Sequence, residues 1–221
     1  MRKVAVGAFL SALVLAGLVF APAQVSASTV SAKVLLSRVS VASESGSTSY
    51  VRTKFKHWVD ANSDCQNSRM EVLIAESKVA PTFTTSNRCT VSRGKWFSYY
   101  DGATWTIPGD VDIDHMVPLK EAWESGARSW TAAQRQAYAN DLGFGPSLVA
   151  VTDNVNQSKG DRDPAQWMPA LSKCTYAIQW VQVKYRWRLT MDSTEKSKLT
   201  SLLSGSCGAR TVGIPPIPPI P

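Results

Sequence analysis

A chain of 221 residues that is 44% hydrophobic and carries 8 tryptophans has ample apolar mass for a packed core. That excludes a disordered or low-complexity protein and sets an expectation of one domain, at most two. The 24 lysines and arginines exceed the 17 acids to give a formal charge of +7. This admits a polyanionic partner (nucleic acid, a teichoic-acid-like polymer, anionic lipid) but does not choose among these and plain solubility.

The chain opens with a short basic segment, Arg2 and Lys3, followed by an apolar run from Val4 to Phe20. Small-residue cleavage signals follow, Ala21-Pro22-Ala23 or Val25-Ser26-Ala27, the layout of a secretory signal peptide over residues 1–27. A membrane anchor needs about 20 apolar residues, and this run is shorter and broken by Gly7, Ser11 and Gly17. Cleavage would remove two basic residues and no acids, leaving 22 against 17, a mature charge of +5. The mature protein is expected outside the cell, as a monomer without stable membrane association. Residues 28–49, rich in Ser, Val and Ala without an aromatic anchor, read as a disordered leader.

Capping boxes mark three helix starts: Ser68 to Glu71, Thr131 to Gln134, and Asp192 to Glu195. A further amphipathic stretch runs from Cys174 to Thr190, with Ile178, Val181, Tyr185 and Leu189 on one face. Its tryptophans, Trp180 and Trp187, read as core rather than as base-stacking groups. Lys95 to Tyr100 and Thr104 to Ile107 flank an Asp101-Gly102 turn and form a hairpin. DVDIDHMV and SLVAVT (147–152) are strand candidates, and the polar run after the second opens a short helix capped by Thr152 or Asp153. The expected fold is α+β, a small antiparallel sheet packed by several helices over residues 50–208. GIPPIPPIP closes a proline-rich tail, residues 209–221, in polyproline II form.

The cysteines at 65, 89, 174 and 207 are even in number in an exported chain, so two disulfides are expected out of three connectivities. The sequential pairing, Cys65–Cys89 and Cys174–Cys207, is favoured because each pair brackets a compact local unit. No C-x-x-C spacing supports a zinc site.

Chemistry concentrates in DVDIDHMVPL, residues 110–119. Strand alternation lines Asp110, Asp112 and Asp114 on one face, where their charges repel. Asp114 and His115 would then face opposite sides, so one site can use both only where the strand breaks, and Pro118 supplies a break. A carboxylate there can hold a hard cation, and a histidine beside it can take a proton from water at neutral pH. The competing reading is an acidic solvent face with a satisfied histidine. His57 has no partner pattern and reads as a surface or structural residue. Arg69 reads as a surface ion-pair former before a phosphate contact.

DIDHMVPL followed about thirty residues later by LVAVTDNVNQSKGDRDP resembles the HNH (ββα-metal) endonucleases, and N-x-S-K-G-D resembles their secreted bacterial branch. The likeness extends over about residues 60–207. It implies an embedded ββα-metal motif with His115 as the general base. Asp114 and Asn156 would ligate a divalent cation, Mg²⁺ or Mn²⁺, that stabilises the phosphate and the departing 3′ oxygen. Lys159 is a candidate phosphate contact or a solvated loop lysine. Asp112 is a support for His115 or a solvated strand residue. Ser147 stands where the family carries an Asn that steadies the catalytic histidine or its loop. The function implied is a secreted, metal-dependent endonuclease acting on nucleic acid, DNA favoured over RNA. Its sequence specificity would be low, since no base-reading module is present. The alternative is a catalytically weak or inactive secreted basic module that binds nucleic acid or another polyanion. A Ser-His-Asp hydrolase is a distant third without a G-x-S-x-G elbow.

Overall fold

The computed structural model describes residues 28–218, and the expected signal peptide lies outside them. In chain order the elements are β1 (Thr29–Ser31), α1 (Ala32–Ser37), α2 (Ser68–Glu76), β2 (Thr82–Phe83), β3 (Val91–Arg93), β4 (Trp96–Phe97), β5 (Thr104–Trp105) and β6 (Val111–His115). There follow α3 (Leu119–Glu124), α4 (Ala132–Ala139), β7 (Leu148–Thr152), α5 (Asp153–Lys159), α6 (Lys173–Arg186), α7 (Ser193–Leu202), α8 (Ser206–Ala209) and β8 (Thr211–Gly213). The fold is α+β. The strands form four separate two-stranded antiparallel ladders, β1–β8, β2–β3, β4–β5 and β6–β7, where one small sheet was expected. Cys65 is bonded to Cys89 and Cys174 to Cys207.

The central ladder is β6–β7, with Val111 opposite Thr152 and His115 opposite Leu148. Its side chains alternate between two cores. Val111, Ile113, Leu148 and Ala150 pack with Val72, Leu73 and Trp96 in a smaller cluster. Val149 and Val151 turn to the main core around Trp180, Tyr176 and Tyr100. Because both faces are covered, the aspartates of β6 share their side with the main core rather than with water. Helix α6 is the hub of that core, with Trp180 fully buried and Trp187 nearly so, which makes both tryptophans packing residues. It ends at Arg186, so Leu189 lies beyond the helix that the apolar stripe suggested.

Two helix starts differ from the capping reading. Asn67, not Ser68, caps α2 by accepting from the Met70 amide, while the Ser68 hydroxyl donates to Asn140 Oδ1 at 2.6 Å. Asp192 caps α7, but Glu195 does not reach back to complete a box; it turns inward to Lys184 and Trp180. The box at Thr131 and Gln134 is complete.

Residues 28–49 are no disordered leader. Strand β1 pairs with β8, and α1 drives Leu35 and Leu36 into the main core at 0% and 3% exposure. A short amphipathic segment without aromatic residues is enough when a waiting apolar face on α6 receives it. The start of the proline-rich tail packs as well: Val212 and Pro215 are buried, and the Ile214 amide donates to the Ser28 carbonyl. The folded unit therefore runs past both ends of the expected 50–208 domain.

Candidate active site

Strand β6 stops at His115, the Met116 amide donates to the Ser147 carbonyl, and Pro118 stands at the N-cap of α3. The break opens a cleft between the strand end, α3 and α5, lined among others by Arg52, Asp114, His115, Asn156 and Asp161. Asp114 and His115 leave opposite faces of the strand and still meet at this cleft, because it sits at the strand's end. Helix α5 packs across both strands of the ladder, so a β–β–α unit carries Asp114, His115 and Asn156 together. Gly160 ends α5 with φ 57° and ψ −132°, a conformation open to glycine and costly for other residues, and this turn brings Asp161 to the rim.

Asp114 is 5% exposed. Its Oδ2 accepts from the Tyr100 hydroxyl at 2.6 Å and the Lys159 ammonium at 2.5 Å. Burial raises the carboxyl above its ordinary range, and Lys159 and Tyr100 pull it back toward the charged form. Oδ1 has no hydrogen-bond partner among the described residues and remains as a hard oxygen donor. Lys159 is neither a phosphate contact nor a solvated loop lysine. It is the last residue of α5, fully buried, and its three donors go to Asp114 and to the carbonyls of His115 and Met116 at 3.0 and 2.9 Å. An ammonium that is enclosed and saturated cannot also meet a phosphate.

His115 places Nε2 2.9 Å from the Ala139 carbonyl. A carbonyl only accepts, so Nε2 carries the proton and Nδ1 keeps a free lone pair. Burial, the largest cause, pushes the imidazole down to about 3, so it is neutral at physiological pH. Trp58 packs on its ring at 5.4 Å between centroids, and His57 lies 6.5 Å away. The second histidine is thus beside the first, with its Nδ1 tied to the Phe55 carbonyl.

Asp112 is neither a support for His115 nor a solvated residue: its Oδ2 accepts from Asn156 Nδ2 at 3.1 Å. Holding the amide nitrogen leaves the Asn156 carbonyl oxygen free. Two hard oxygen donors, Asp114 Oδ1 and Asn156 Oδ1, on one cleft fit a small divalent cation in donor chemistry. The denser acidic groupings among the described residues lie elsewhere, at Glu44 with Glu121 and Glu124, and at Glu44 with Asp163 and Asp192. Among the described residues Ser147 makes no hydrogen bond to the His115 ring. Its hydroxyl donates to Asp141 Oδ2 at 2.6 Å, and Asp141 also accepts from Arg186 and Trp187. Arg69 points inward to the carbonyls of Pro108 and Val111.

Sequence reasoning missed Arg52, Tyr100, Ala139 and Asp141. Ala139 acts through its backbone, which no side-chain pattern reveals. Tyr100 and Asp141 stand 14 and 27 positions from Asp114, with no helical or strand spacing to link them.

Residues 46–202 match the family described as "GmrSD restriction endonucleases, C-terminal domain". A protein of Arthroderma benhamiae described as an "Uncharacterized secreted protein" is 49% identical over 181 residues, covering 81% of this chain and 85% of the relative. That relative is fungal, so the motifs do not restrict the likeness to a bacterial branch. No solved structure matches the chain. Among the described residues no helix is long and apolar enough to cross a membrane. The chain belongs to the family of GmrSD restriction endonuclease C-terminal domains, an HNH-type nuclease family.

Proposed function

We propose that this protein is a secreted endonuclease that depends on a divalent metal and hydrolyses phosphodiester bonds of nucleic acid, DNA before RNA, with little sequence specificity. The observation that carries the reading is an imidazole whose tautomer the Ala139 carbonyl fixes, on the same cleft as two hard oxygen donors. Family membership supports the substrate class. The secreted description of the fungal relative, together with the apolar segment 4–20, supports export.

Nδ1 of His115 takes a proton from water as its oxygen bonds to phosphorus, and the bond from phosphorus to the departing oxygen breaks. The Ala139 carbonyl keeps the other ring proton in place, so the tautomer is correct before substrate arrives. Asp114 and Asn156 would hold the cation, held in turn by Lys159, Tyr100 and Asp112. Bound there, Mg²⁺ or Mn²⁺ supplies positive charge to the phosphate oxygens and the leaving oxygen.

A second reading, a weak or inactive nucleic-acid-binding module, draws on Ser147, whose hydroxyl serves Asp141 instead of His115. Digestion of supercoiled plasmid separates the two. The mature protein should nick plasmid with Mg²⁺ or Mn²⁺ and stop in EDTA. His115→Ala should keep its circular dichroism and lose roughly 10²–10⁴-fold in initial rate. Cleavage that survives EDTA removes the metal assignment, and a folded His115→Ala that cuts at the wild-type rate removes the base.

A further inference from the structure

The cleft poses an electrostatic problem. Asp114 and Asp161 line it and Asp112 stands behind Asn156, so an approaching phosphodiester meets carboxylates. The lysine that the motif offers, Lys159, is buried and spent on Asp114. Arg52 is the one cation among the described residues that line this cleft. It is exposed, and no carboxylate among the described residues forms an ion pair with it.

The backbone that carries Arg52 is held firmly. Phe55, three residues on, is fully buried between Trp123 and Tyr138. Asn140 clamps the following stretch, accepting from the Val59 amide and donating to the Lys56 carbonyl. Arg135 donates to the Lys54 carbonyl. Segment 50–59 is thus held in place, with His57 and Trp58 against His115 and Arg52 lining the cleft.

We propose that Arg52 is a substrate-binding residue: its guanidinium grips non-bridging oxygens of a nucleic-acid phosphate and brings the strand onto His115. This rests on the nuclease reading and assigns a role that the motif residues do not fill. An arginine suits it, since the planar fork meets two phosphate oxygens at once and never loses its charge. A phosphate contact of this kind reads no base, in keeping with low sequence specificity.

The test is fluorescence anisotropy of a labelled short DNA duplex, with an RNA of the same sequence in a parallel arm, in EDTA so that binding is read without cleavage. Arg52→Ala should weaken binding by about ten- to a hundred-fold, the range for losing a hydrogen bond to a charged group. Its plot of log affinity against log salt should be shallower by about 0.9, the slope of one duplex phosphate contact. Arg52→Lys should keep the wild-type slope and lose part of the affinity, because charge remains while the fork is gone. Wild-type affinity and slope in Arg52→Ala, from protein that cuts plasmid before substitution, overturn the assignment and leave the nuclease reading intact. Wild-type protein that neither binds nor cuts removes both. Arg52 is exposed, so the variants should fold; Arg52→Gln keeps the stem if truncation to alanine disturbs the segment.

Discussion

Lys159 keeps an ammonium in the protein interior, beside the rings of Tyr176 and Trp180 at 5.8 Å. Its partner Asp114 is enclosed with it, so removing the lysine strands a carboxylate without its counter-charge. Breaking one side of a buried pair typically costs about 3–5 kcal/mol. Lys159→Met should therefore lower the melting temperature sharply, by calorimetry in the absence of substrate. A phosphate-contacting lysine would leave the melt unchanged and weaken only binding. Glu76 tests burial with the opposite sign. Its carboxyl is pushed up from 4.5 to about 7 by burial, against the Ala150 amide that donates to it. The folded state then holds the proton more tightly than the unfolded chain, so stability is full below pH 4.5 and falls as pH rises through 7. Glu76→Gln keeps an oxygen for Ala150 and carries no charge. It should match wild type near pH 4.5 and exceed it by on the order of 2–3 kcal/mol at pH 8, by urea denaturation. Equal midpoints at pH 8 would mean that Glu76 ionises without penalty.

At the scale of elements, the turn from Ala139 to Ser147 decides how His115 is presented. The Ala139 carbonyl fixes the imidazole tautomer, the Ser147 carbonyl receives the Met116 amide, and Asp141 between them gathers Ser147, Arg186 and Trp187. Ser147 thus supports the loop rather than the ring. Asp141→Ala should cost about 3–5 kcal/mol by leaving Arg186 unpaired. In the fraction that stays folded it should lower the rate on plasmid, since the carbonyl that orients the base loses its anchor. An unchanged rate per folded molecule would detach the loop from catalysis. The elements that local chemistry dictates were legible: the complete capping box at Thr131, the hairpin around Asp101-Gly102, and the strand-break at Pro118 that lets Asp114 and His115 share a cleft. What was hidden depends on contacts distant in sequence. Nothing near Lys159 says that Tyr176 and Trp180 will close over it, and nothing near Asp112 says that Asn156, 44 residues on, will take its oxygen.

At the scale of the molecule, the two ends of the described chain are stitched together, and the family match hides this. The match begins at residue 46, yet Leu35, Leu36 and Val39 are 0%, 3% and 5% exposed in the main core. Helix α1 lies on α6, β1 pairs with β8, and Lys196 donates to the carbonyls of Leu36 and Val39. Burying three such side chains stabilises by roughly 5–9 kcal/mol as an upper bound. Whole domains have a net stability of only about 5–15 kcal/mol. A chain that begins at residue 46 retains every cleft residue and both disulfides, but it exposes the apolar face of α6 and leaves β8 without a partner. It should melt far below the chain that begins at residue 28, or without a cooperative transition, in calorimetry under oxidising conditions. Leu35→Ala in the longer chain should show part of the same loss, about 2–5 kcal/mol for a buried leucine. If the shorter chain melts at the same temperature and Leu35→Ala is silent, the N-terminal segment is an accessory, and the cleft stands on residues 46–218 alone.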